Sequence, residues 1–213
     1  MGNAEAQVAG VLLAAGGGSR MGGRPKALLE YRGRLLVEHA AGVLRAGGCA
    51  PVHVVLGAAR QEVAARADLR GCTVVECAEW ASGMGASLRA GLASLAGTGC
   101  AAAVIGLVDT PGVTPEAVAR VIAAHRAGAG LAAAVYGGRR GHPVLIGAGH
   151  WPGAAEAASG DTGARAYLAA HAAELRLVEC GDVASYEDVD TPEQWARLQG
   201  GVQQFVDYPA RGN

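Results

Sequence analysis

A run of glycines followed by a single lysine is the part of the sequence best suited to bind phosphate groups. Gly16, Gly17 and Gly18 are consecutive, and glycine permits the positive φ angles and close backbone approach with which main-chain N–H groups bind phosphate oxygens. Lys26 is the only lysine among the 18 lysines and arginines of the chain. Because a compact ammonium fits among converging oxygens better than a planar guanidinium, Lys26 is our first catalytic candidate. The alternative is a surface cation that arginine could replace.

This loop differs from two common phosphate-binding motifs. Lys26 lies between Pro25 and Ala27, so it lacks the hydroxyl side chain that follows the lysine of a P-loop. A loop of about ten residues, interrupted by Pro25, separates the glycines from the next apolar segment, whereas the dinucleotide-binding motif opens directly into a helix. The sequence therefore disfavours both a P-loop protein and a dinucleotide-dependent oxidoreductase.

Asp109 follows the apolar run 101–108, which has the character of a central parallel strand. The carboxyl ends of such strands face the ligand crevice of an open α/β sheet. A carboxylate there, opposite a triphosphate, suits Mg²⁺, which prefers one or two carboxylates together with phosphate oxygens and water. The alternative is that Asp109 accepts hydrogen bonds from the turn before Pro111.

A second glycine segment precedes a predicted helix. Gly83, Met84 and Gly85 form a turn, and Ser87 lies in the first turn of the helix that follows. Backbone donors at a helix N-terminus suit a phosphate or the edge of a base. The alternative is an ordinary loop in which Ser82 or Ser87 caps the helix.

Two segments in the second half of the chain are candidates for binding a second substrate. His142 precedes Pro143 in a turn, where a histidine either contacts a ligand or serves the turn alone. The segment 159–165 places glycines, polar side chains and an arginine at a predicted helix start, which suits a phosphate; the alternative is an N-capped surface helix. Its candidate residues are Asp161, Thr162, Gly163 and Arg165.

The alternation of short apolar runs with helical segments predicts the fold. Apolar runs at 7–14, 52–56 and 72–77 alternate with helical patterns, which indicates βαβ units and a parallel sheet covered on both faces. The segment 137–146 is predicted as a hairpin, so the sheet becomes mixed there. We therefore expect an α/β protein with a three-layer α/β/α sandwich and a mostly parallel sheet.

The composition indicates one domain with a small-molecule partner. The 213 residues are 51% hydrophobic, enough for a sizeable core, and we expect one domain at 1–199 with a loose tail at 200–213. A net charge of −1 gives no general attraction to nucleic acid or to a membrane. The five cysteines are scattered without Cys-x-x-Cys pairs, and no export signal or membrane-spanning run is evident. We therefore expect a cytoplasmic protein.

Taken together, these motifs resemble a known family. Leu-Ala-Ala-Gly-Gly-Gly-Ser-Arg-Met-Gly followed by Pro-Lys-Ala-Leu-Leu looks like the signature of the MobA-like NTP transferases, which include the molybdenum-cofactor guanylyl- and cytidylyltransferases. The Gly-Met-Gly block is similar to one in the cytidylyltransferase branch, and Glu187-Asp-Val-Asp-Thr-Pro-Glu193 resembles the closing block of the family. The resemblance covers about 7–198 and implies a nucleotidyltransferase with a Rossmann-like fold.

The resemblance also implies a reaction, in which a nucleoside monophosphate is transferred to a phosphorylated acceptor and pyrophosphate is released. Lys26, Arg20 and Asp109 would be catalytic. Asp190 would share Mg²⁺ with Asp109, and its alternative role is to cap the last helix. The side chain at position 15, where guanylyltransferases usually have glycine, favours CTP over GTP. The implied nucleotide-binding residues are Leu13, Ala14, Ala15, Gly16, Gly17, Gly18, Ser19, Arg20, Lys26, Gly83, Met84, Gly85 and Ser87.

The acceptor implied by the resemblance is molybdopterin, and a contact with a molybdoenzyme or chaperone would follow from it. GTP as the donor, and a sugar phosphate, methylerythritol phosphate or phospholactate as the acceptor, stay open. So does a non-catalytic nucleotide-binding module, although such a module would need the loop without the aspartate pair. The presence of Asp109 and Asp190 beside Lys26 in the motif set argues against it.

Overall fold

Nine strands and seven helices alternate along residues 7–206. The computed structural model describes the backbone of these residues and the side chains of 7–199, whereas 1–6 and 207–213 lie outside the described part of the chain. The strands are β1 (Val8–Leu13), β2 (Glu30–Tyr31), β3 (Arg34–Leu35), β4 (Val52–Leu56), β5 (Cys72–Glu76), β6 (Ala102–Leu107), β7 (Leu131–Tyr136), β8 (Arg139–Gly147) and β9 (Leu175–Glu179). The helices are α1 (Leu36–Ala46), α2 (Arg60–Arg66), α3 (Met84–Ala93), α4 (Pro115–Arg126), α5 (Trp151–Ala157), α6 (Arg165–Ala170) and α7 (Pro192–Val206).

Seven strands form one sheet in the order β5-β4-β1-β6-β8-β7-β9, and β2 pairs with β3 in a separate ribbon. β1 pairs in parallel with both β4 and β6. β8 runs antiparallel to β6 and to β7, with which it forms the hairpin expected at 137–146. The prediction of a mostly parallel sheet that becomes mixed at this hairpin is confirmed.

Alternate side chains of β1 pack against helices on opposite faces of the sheet. Leu12 belongs to the apolar cluster that includes α1 and α4, and Val11 belongs to the cluster that includes α3, α5 and α6. Both side chains are fully buried, as in a strand that is covered on both faces. The predicted three-layer sandwich is therefore confirmed. The carboxyl ends of β1, β4 and β6 meet at one edge, where the ligand crevice of an open α/β sheet lies.

The last helix, α7, begins with a reciprocal cap. Gln194 Oε1 accepts a hydrogen bond from the N–H of Thr191 at 2.9 Å, and Thr191 Oγ1 accepts one from the N–H of Gln194 at 3.3 Å. The helix continues to Val206, past the boundary expected at 199, and 207–213 lie outside the described residues. Within residues 7–206, no helix is long and apolar enough to cross a membrane.

Candidate active site

Lys26 lies between the two aspartates that the sequence singled out. Its Nζ is 2.8 Å from Oδ2 of Asp109 and 2.5 Å from Oδ1 of Asp190. The Lys26 side chain is 15% exposed, against 22% and 29% for the two aspartates. Three residues that are far apart in the sequence therefore form one partly buried ion cluster at the crevice edge of the sheet.

Local backbone structure positions the three members of this cluster. Asp109 follows β6, and its carbonyl oxygen accepts a hydrogen bond from the N–H of Val189 at 2.9 Å. Because Val189 precedes Asp190, this bond holds the closing segment beside the end of β6. Lys26 begins a single 3₁₀ turn, Lys26–Leu28, whose other two side chains are buried in the core. The ammonium is thus carried by an anchored turn and the carboxylates by two segments that are bonded to each other.

The pKa values of Lys26 and Asp190 are both shifted in the direction that favours their charged forms. Burial opposes the charge on Lys26, but the adjacent Asp109 and Asp190 outweigh it, so the pKa of Lys26 is raised above 10.5. The hydrogen bond from Lys26 holds the pKa of Asp190 below its usual range, and Arg20 contributes in the same direction. Arg20 is 74% exposed and lies 3.1 Å from Oδ2 of Asp190. The predicted catalytic residues Lys26, Arg20 and Asp109 therefore lie together, in contact with Asp190.

The glycine loop has a conformation that requires glycine at one position. Gly18 has a φ of 68°, and a side chain there would overlap the carbonyl oxygen of Arg24. The carbonyl of Gly18 accepts hydrogen bonds from the N–H groups of Met21 and Gly23 at 2.8 and 3.0 Å, which close the loop on itself. Nothing lies within 4 Å of where a Gly16 side chain would start. The loop therefore exposes backbone at Gly16, as a phosphate cradle requires.

The two alanines before the loop extend the strand and are buried. The N–H of Ala14 donates to the carbonyl of Val55 at 3.0 Å, and the carbonyl of Ala15 accepts from Ala58 at 3.1 Å. Ala15 is 4% exposed and its methyl group belongs to the apolar cluster beneath α3. Its side chain therefore packs into the protein and not into the open space beside the loop.

The predicted nucleotide-binding and acceptor-binding segments pack against each other. A side chain at Gly83 would overlap the backbone of Gly160, and one at Gly85 would lie 2.7 Å from the N atom of Ser159. A side chain at Gly163 would begin 3.1 Å from the sulfur of Met84. Gly83 and Gly85 are therefore required for the close approach of two chain segments. The sequence indicated ligand binding or an ordinary capped loop for this segment, and it did not predict a contact with the segment 159–165.

The structure rejects the capping alternatives for α3 and α6, the helices that follow the two predicted ligand-binding segments. Gly83 is the N-cap of α3 without a side-chain cap, and Ser87 is 5% exposed inside the helix. Ser82 Oγ instead donates to the carbonyl of Glu79. The N-cap of α6 is Ala164, also without a side-chain cap. Thr162 Oγ1 donates to the carbonyl of Ser159 at 2.8 Å, so neither Thr162 nor Asp161 caps α6.

The alternatives for the two aspartates are also wrong. Thr191, rather than Asp190, caps α7. Among the described residues, the hydrogen bond of the Asp109 carboxylate is to Lys26 and not to the turn before Pro111. Neither carboxylate therefore caps a helix or accepts a hydrogen bond from a turn, and both contact the Lys26 ammonium.

His142 and Arg165, two of the predicted acceptor-binding residues, lie near each other. Burial, together with the positive charges of Arg165 and Arg140, lowers the pKa of His142 to about 4. The imidazole is therefore neutral at physiological pH. Asp161, Thr162 and Arg165 are exposed. Arg140, which is exposed in the glycine turn, also lies near His142.

The donor set at the ion cluster fits a divalent metal ion. Within residues 7–199, no group of three or more histidine, cysteine, aspartate or glutamate side chains converges, so a metal site at the cluster would have two protein ligands, Asp109 and Asp190. Both carboxylates reach one cation, the Lys26 ammonium. Two carboxylates completed by phosphate oxygens and water are a set that Mg²⁺ accepts.

This fold, with a cation and two carboxylates beside a glycine loop, defines a nucleotidyltransferase. The chain belongs to the MobA-like NTP transferase family, whose domain model matches residues 10–175. The resemblance inferred from the motifs is confirmed. The matched range contains the glycine loop, Lys26 and Asp109, and Asp190 lies beyond it.

Individual relatives cover almost the whole chain. The nicotine blue oxidoreductase of Paenarthrobacter nicotinovorans is 46% identical over 198 residues, which are 90% of this chain and 96% of the relative. The crystal structure of Rv0371c from Mycobacterium tuberculosis H37Rv is 30% identical, with a TM-score of 0.77 over 91% of this chain and 97% of that one. A complex of Rv0371c with manganese is 29% identical and covers 90% and 97% of the two chains with a TM-score of 0.75.

The fold is shared more widely. A nucleotidyl transferase from Methanothermobacter, Mth528, is 22% identical and has a TM-score of 0.78 over 96% of this chain and 100% of that one. At this identity the likeness shows the three-layer fold alone.

Proposed function

We propose that the protein transfers CMP from CTP to a phosphorylated acceptor, molybdopterin, with Mg²⁺ bound by Asp109 and Asp190, and releases pyrophosphate. The observation that carries the proposal is the position of Lys26, which lies at the end of the glycine loop between the two aspartates. This arrangement supplies a fixed cation and two metal ligands at the crevice where a triphosphate would lie. Arg20 adds a second cation at the exposed side of the cluster.

The reaction needs no nucleophile from the protein. An oxygen of the acceptor phosphate attacks the α-phosphorus of CTP, the bond between the α-phosphorus and its bridging oxygen breaks, and pyrophosphate leaves with the electron pair. When bound, Mg²⁺ would neutralise the charge that develops on the phosphate oxygens. Lys26, kept protonated by its raised pKa, and the N–H groups of the glycine loop stabilise the same charge and orient the triphosphate.

Binding of the triphosphate would require Lys26 to exchange partners. In the structure its ammonium bonds both carboxylates, and in the reaction it would bond phosphate oxygens while the carboxylates bind the metal. Total charge favours this exchange, because two aspartates then face Mg²⁺ and the lysine faces an anion. The manganese complex of Rv0371c supports a divalent metal in this family.

The proposed choice of CTP as donor and molybdopterin as acceptor rests on the family resemblance and on the residues predicted to bind the acceptor. Ala15 and the Gly-Met-Gly segment support CTP, with the base read by the backbone around Leu13–Gly16. His142, Asp161, Thr162, Gly163 and Arg165 would hold the acceptor, with the Arg165 guanidinium as the cation that pairs with its phosphate. A cytoplasmic location and a contact with a molybdoenzyme or chaperone belong to the same proposal.

Incubation with each of the four nucleoside triphosphates, molybdopterin and Mg²⁺ or Mn²⁺ tests the proposal. Pyrophosphate release is measured by a coupled assay and the dinucleotide product by mass spectrometry. We expect CTP and molybdopterin to give both products, and Lys26→Ala to abolish them. Arg66→Ala, which removes an exposed helical ion pair with Glu62, is the matched control and should be fully active. The proposal is refuted if no combination of a triphosphate and an acceptor releases pyrophosphate.

A redox reaction is a second candidate function, because the relative that shares 46% identity over 90% of the chain is named as an oxidoreductase. Its test is the loss of the visible absorbance of nicotine blue in the presence of NADH or NADPH, with no nucleoside triphosphate added. We expect no reduction. The redox activity would replace nucleotidyl transfer if two results were found together. The protein would reduce nicotine blue equally well with and without Asp190→Asn, and it would release no pyrophosphate.

A further inference from the structure

Trp80 is a large apolar side chain that remains exposed beside the glycine loop. Among the described residues, the exposed large apolar side chains are Val74 at 43%, Trp80 at 37% and Leu177 at 58%. Val74 and Leu177 lie on β5 and β9, the two edge strands of the sheet, where scattered exposure is ordinary. Trp80 begins the 3₁₀ turn Trp80–Ser82, directly before Gly83. It therefore lies between the two segments assigned to the nucleotide.

The indole fills space that two glycines leave open. A side chain at Gly57 would begin 2.5 Å from Cβ and 2.7 Å from Cγ of Trp80. A side chain at Gly17 would begin 3.3 Å from Cζ3 and 3.5 Å from Cη2 of the same ring. The position of the missing Gly57 side chain is also 2.7 Å from the carbonyl oxygen of Ala15. The ring thus runs beside the backbone from Ala15 to Gly17, which overlaps the stretch 13–16 proposed to lie against the base.

The polar end of the indole is available for a ligand. The N–H of Trp80 has no hydrogen-bond partner within the described residues, and the residue is 37% exposed. By contrast, Nε1 of Trp151 donates to the carbonyl of Ile146 at 2.9 Å. A tryptophan with an apolar body held in place and a free donor is suited to contact a second planar ring.

We infer that Trp80 contacts the nucleobase of the bound nucleotide and is a base-binding residue of the site. This inference rests on the proposed nucleotidyl transfer and adds a residue that neither the motifs nor the ion cluster assigns. The glycine loop and Lys26 would hold the phosphates, which every nucleotide shares. The indole would contact the base, the part in which nucleotides differ. A purely structural Trp80 would support the loop without distinguishing a nucleotide from a triphosphate that lacks a base.

Tryptophan fluorescence provides the first test, because a base that contacts the indole changes its emission. The chain has three tryptophans, so CTP is titrated into the wild type, Trp80→Phe and the matched control Trp151→Phe. Calorimetry measures binding independently. We expect CTP to quench the wild type and Trp151→Phe and to leave Trp80→Phe unquenched. Inorganic tripolyphosphate, which has no base, should bind without quenching.

Affinity provides the second test. Removal of a stacked aromatic side chain weakens base binding roughly tenfold or more. We therefore expect Trp80→Ala to raise the Kd for CTP about tenfold and to leave the Kd for tripolyphosphate within twofold, which also shows that the loop is intact. Trp80→Phe, which keeps an aromatic ring, should lose less affinity for CTP than Trp80→Ala loses.

The outcomes separate the inference from the proposed function. If Trp80→Ala binds CTP as tightly as the wild type does, the role of Trp80 is overturned and nucleotidyl transfer stands. The same holds if the substitution raises the Kd for CTP and the Kd for tripolyphosphate by the same factor. A wild type to which no nucleoside triphosphate binds would overturn the proposed function, and the role of Trp80 with it.

Discussion

Replacing Lys26 with methionine tests the ion cluster at the end of the glycine loop. Methionine keeps an unbranched apolar stem but removes the ammonium that approaches the carboxylates of Asp109 and Asp190 to 2.8 and 2.5 Å, and it leaves Asp190 with only the exposed Arg20 as a counter-charge. Removal of one partner from a partly buried ion pair costs more than removal from an exposed pair. We expect a loss of about 1 kcal/mol for each aspartate, so about 2 kcal/mol of unfolding free energy at pH 7.

The pH dependence of this loss follows from the pKa of Asp190, which Lys26 holds below its usual range. A carboxyl group with a lowered pKa stabilises the folded protein above the unfolded value of about 3.9, and this contribution disappears as the pH falls through the folded value. The stability difference between wild type and Lys26→Met should therefore be constant near neutral pH and narrow below about pH 5.

Urea unfolding at pH 7 and near pH 3.5, followed by circular dichroism, measures this difference. The control is Arg66→Met, which removes a helical ion pair whose members are 47% and 54% exposed and should cost no more than about 0.5 kcal/mol. A Lys26→Met protein as stable as the wild type at pH 7 would refute the reasoning. So would a deficit of the same size at both pH values.

Three further sets of substitutions test the proposed reaction. Lys26→Arg should lower kcat/KM at least tenfold in the pyrophosphate assay, about 1.4 kcal/mol, because the planar guanidinium cannot take the place of the ammonium; near-wild-type turnover would make Lys26 an exchangeable cation. Asp109→Asn and Asp190→Asn should each lower activity in a way that higher Mg²⁺ partly restores, and an unchanged metal titration would remove that aspartate from the metal site. Ala15→Gly should narrow the preference for CTP by at most roughly tenfold in a competition with GTP, since a single methyl group discriminates weakly and this one is 4% exposed. A wild type that prefers GTP would refute the cytidylyl assignment.

The fold was predictable because its signals are local. Each strand of the core is a short apolar run and each helix has its own periodicity, so the layers of the sandwich follow from neighbouring residues. The end of the chain shows the limit of this reasoning. Gly200 and Gly201 are typical of a helix end, yet α7 continues to Val206. A helix whose start is capped at Thr191 and whose first half packs on the core can extend through residues of poor helix propensity.

The site was predictable in its members but not in their contacts. The types of Lys26, Asp109 and Asp190 indicated phosphate and metal chemistry, whereas their direct ion pairs depend on a backbone bond between distant segments. The Gly-Met-Gly segment was ambiguous for another reason. A glycine that admits a ligand and one that admits another stretch of backbone look the same in sequence, and Gly83 and Gly85 contact backbone.

The bond between Lys26 and Asp190 spans 164 positions of the chain, and Asp190 follows the last strand of the described sheet, which ends at Glu179. A chain truncated between these two residues would keep every strand of that sheet, but Lys26 would lose one of its two carboxylate partners. The sheet and the complete ion cluster are therefore separable, because the sheet needs residues up to 179 and the cluster needs a segment beyond it.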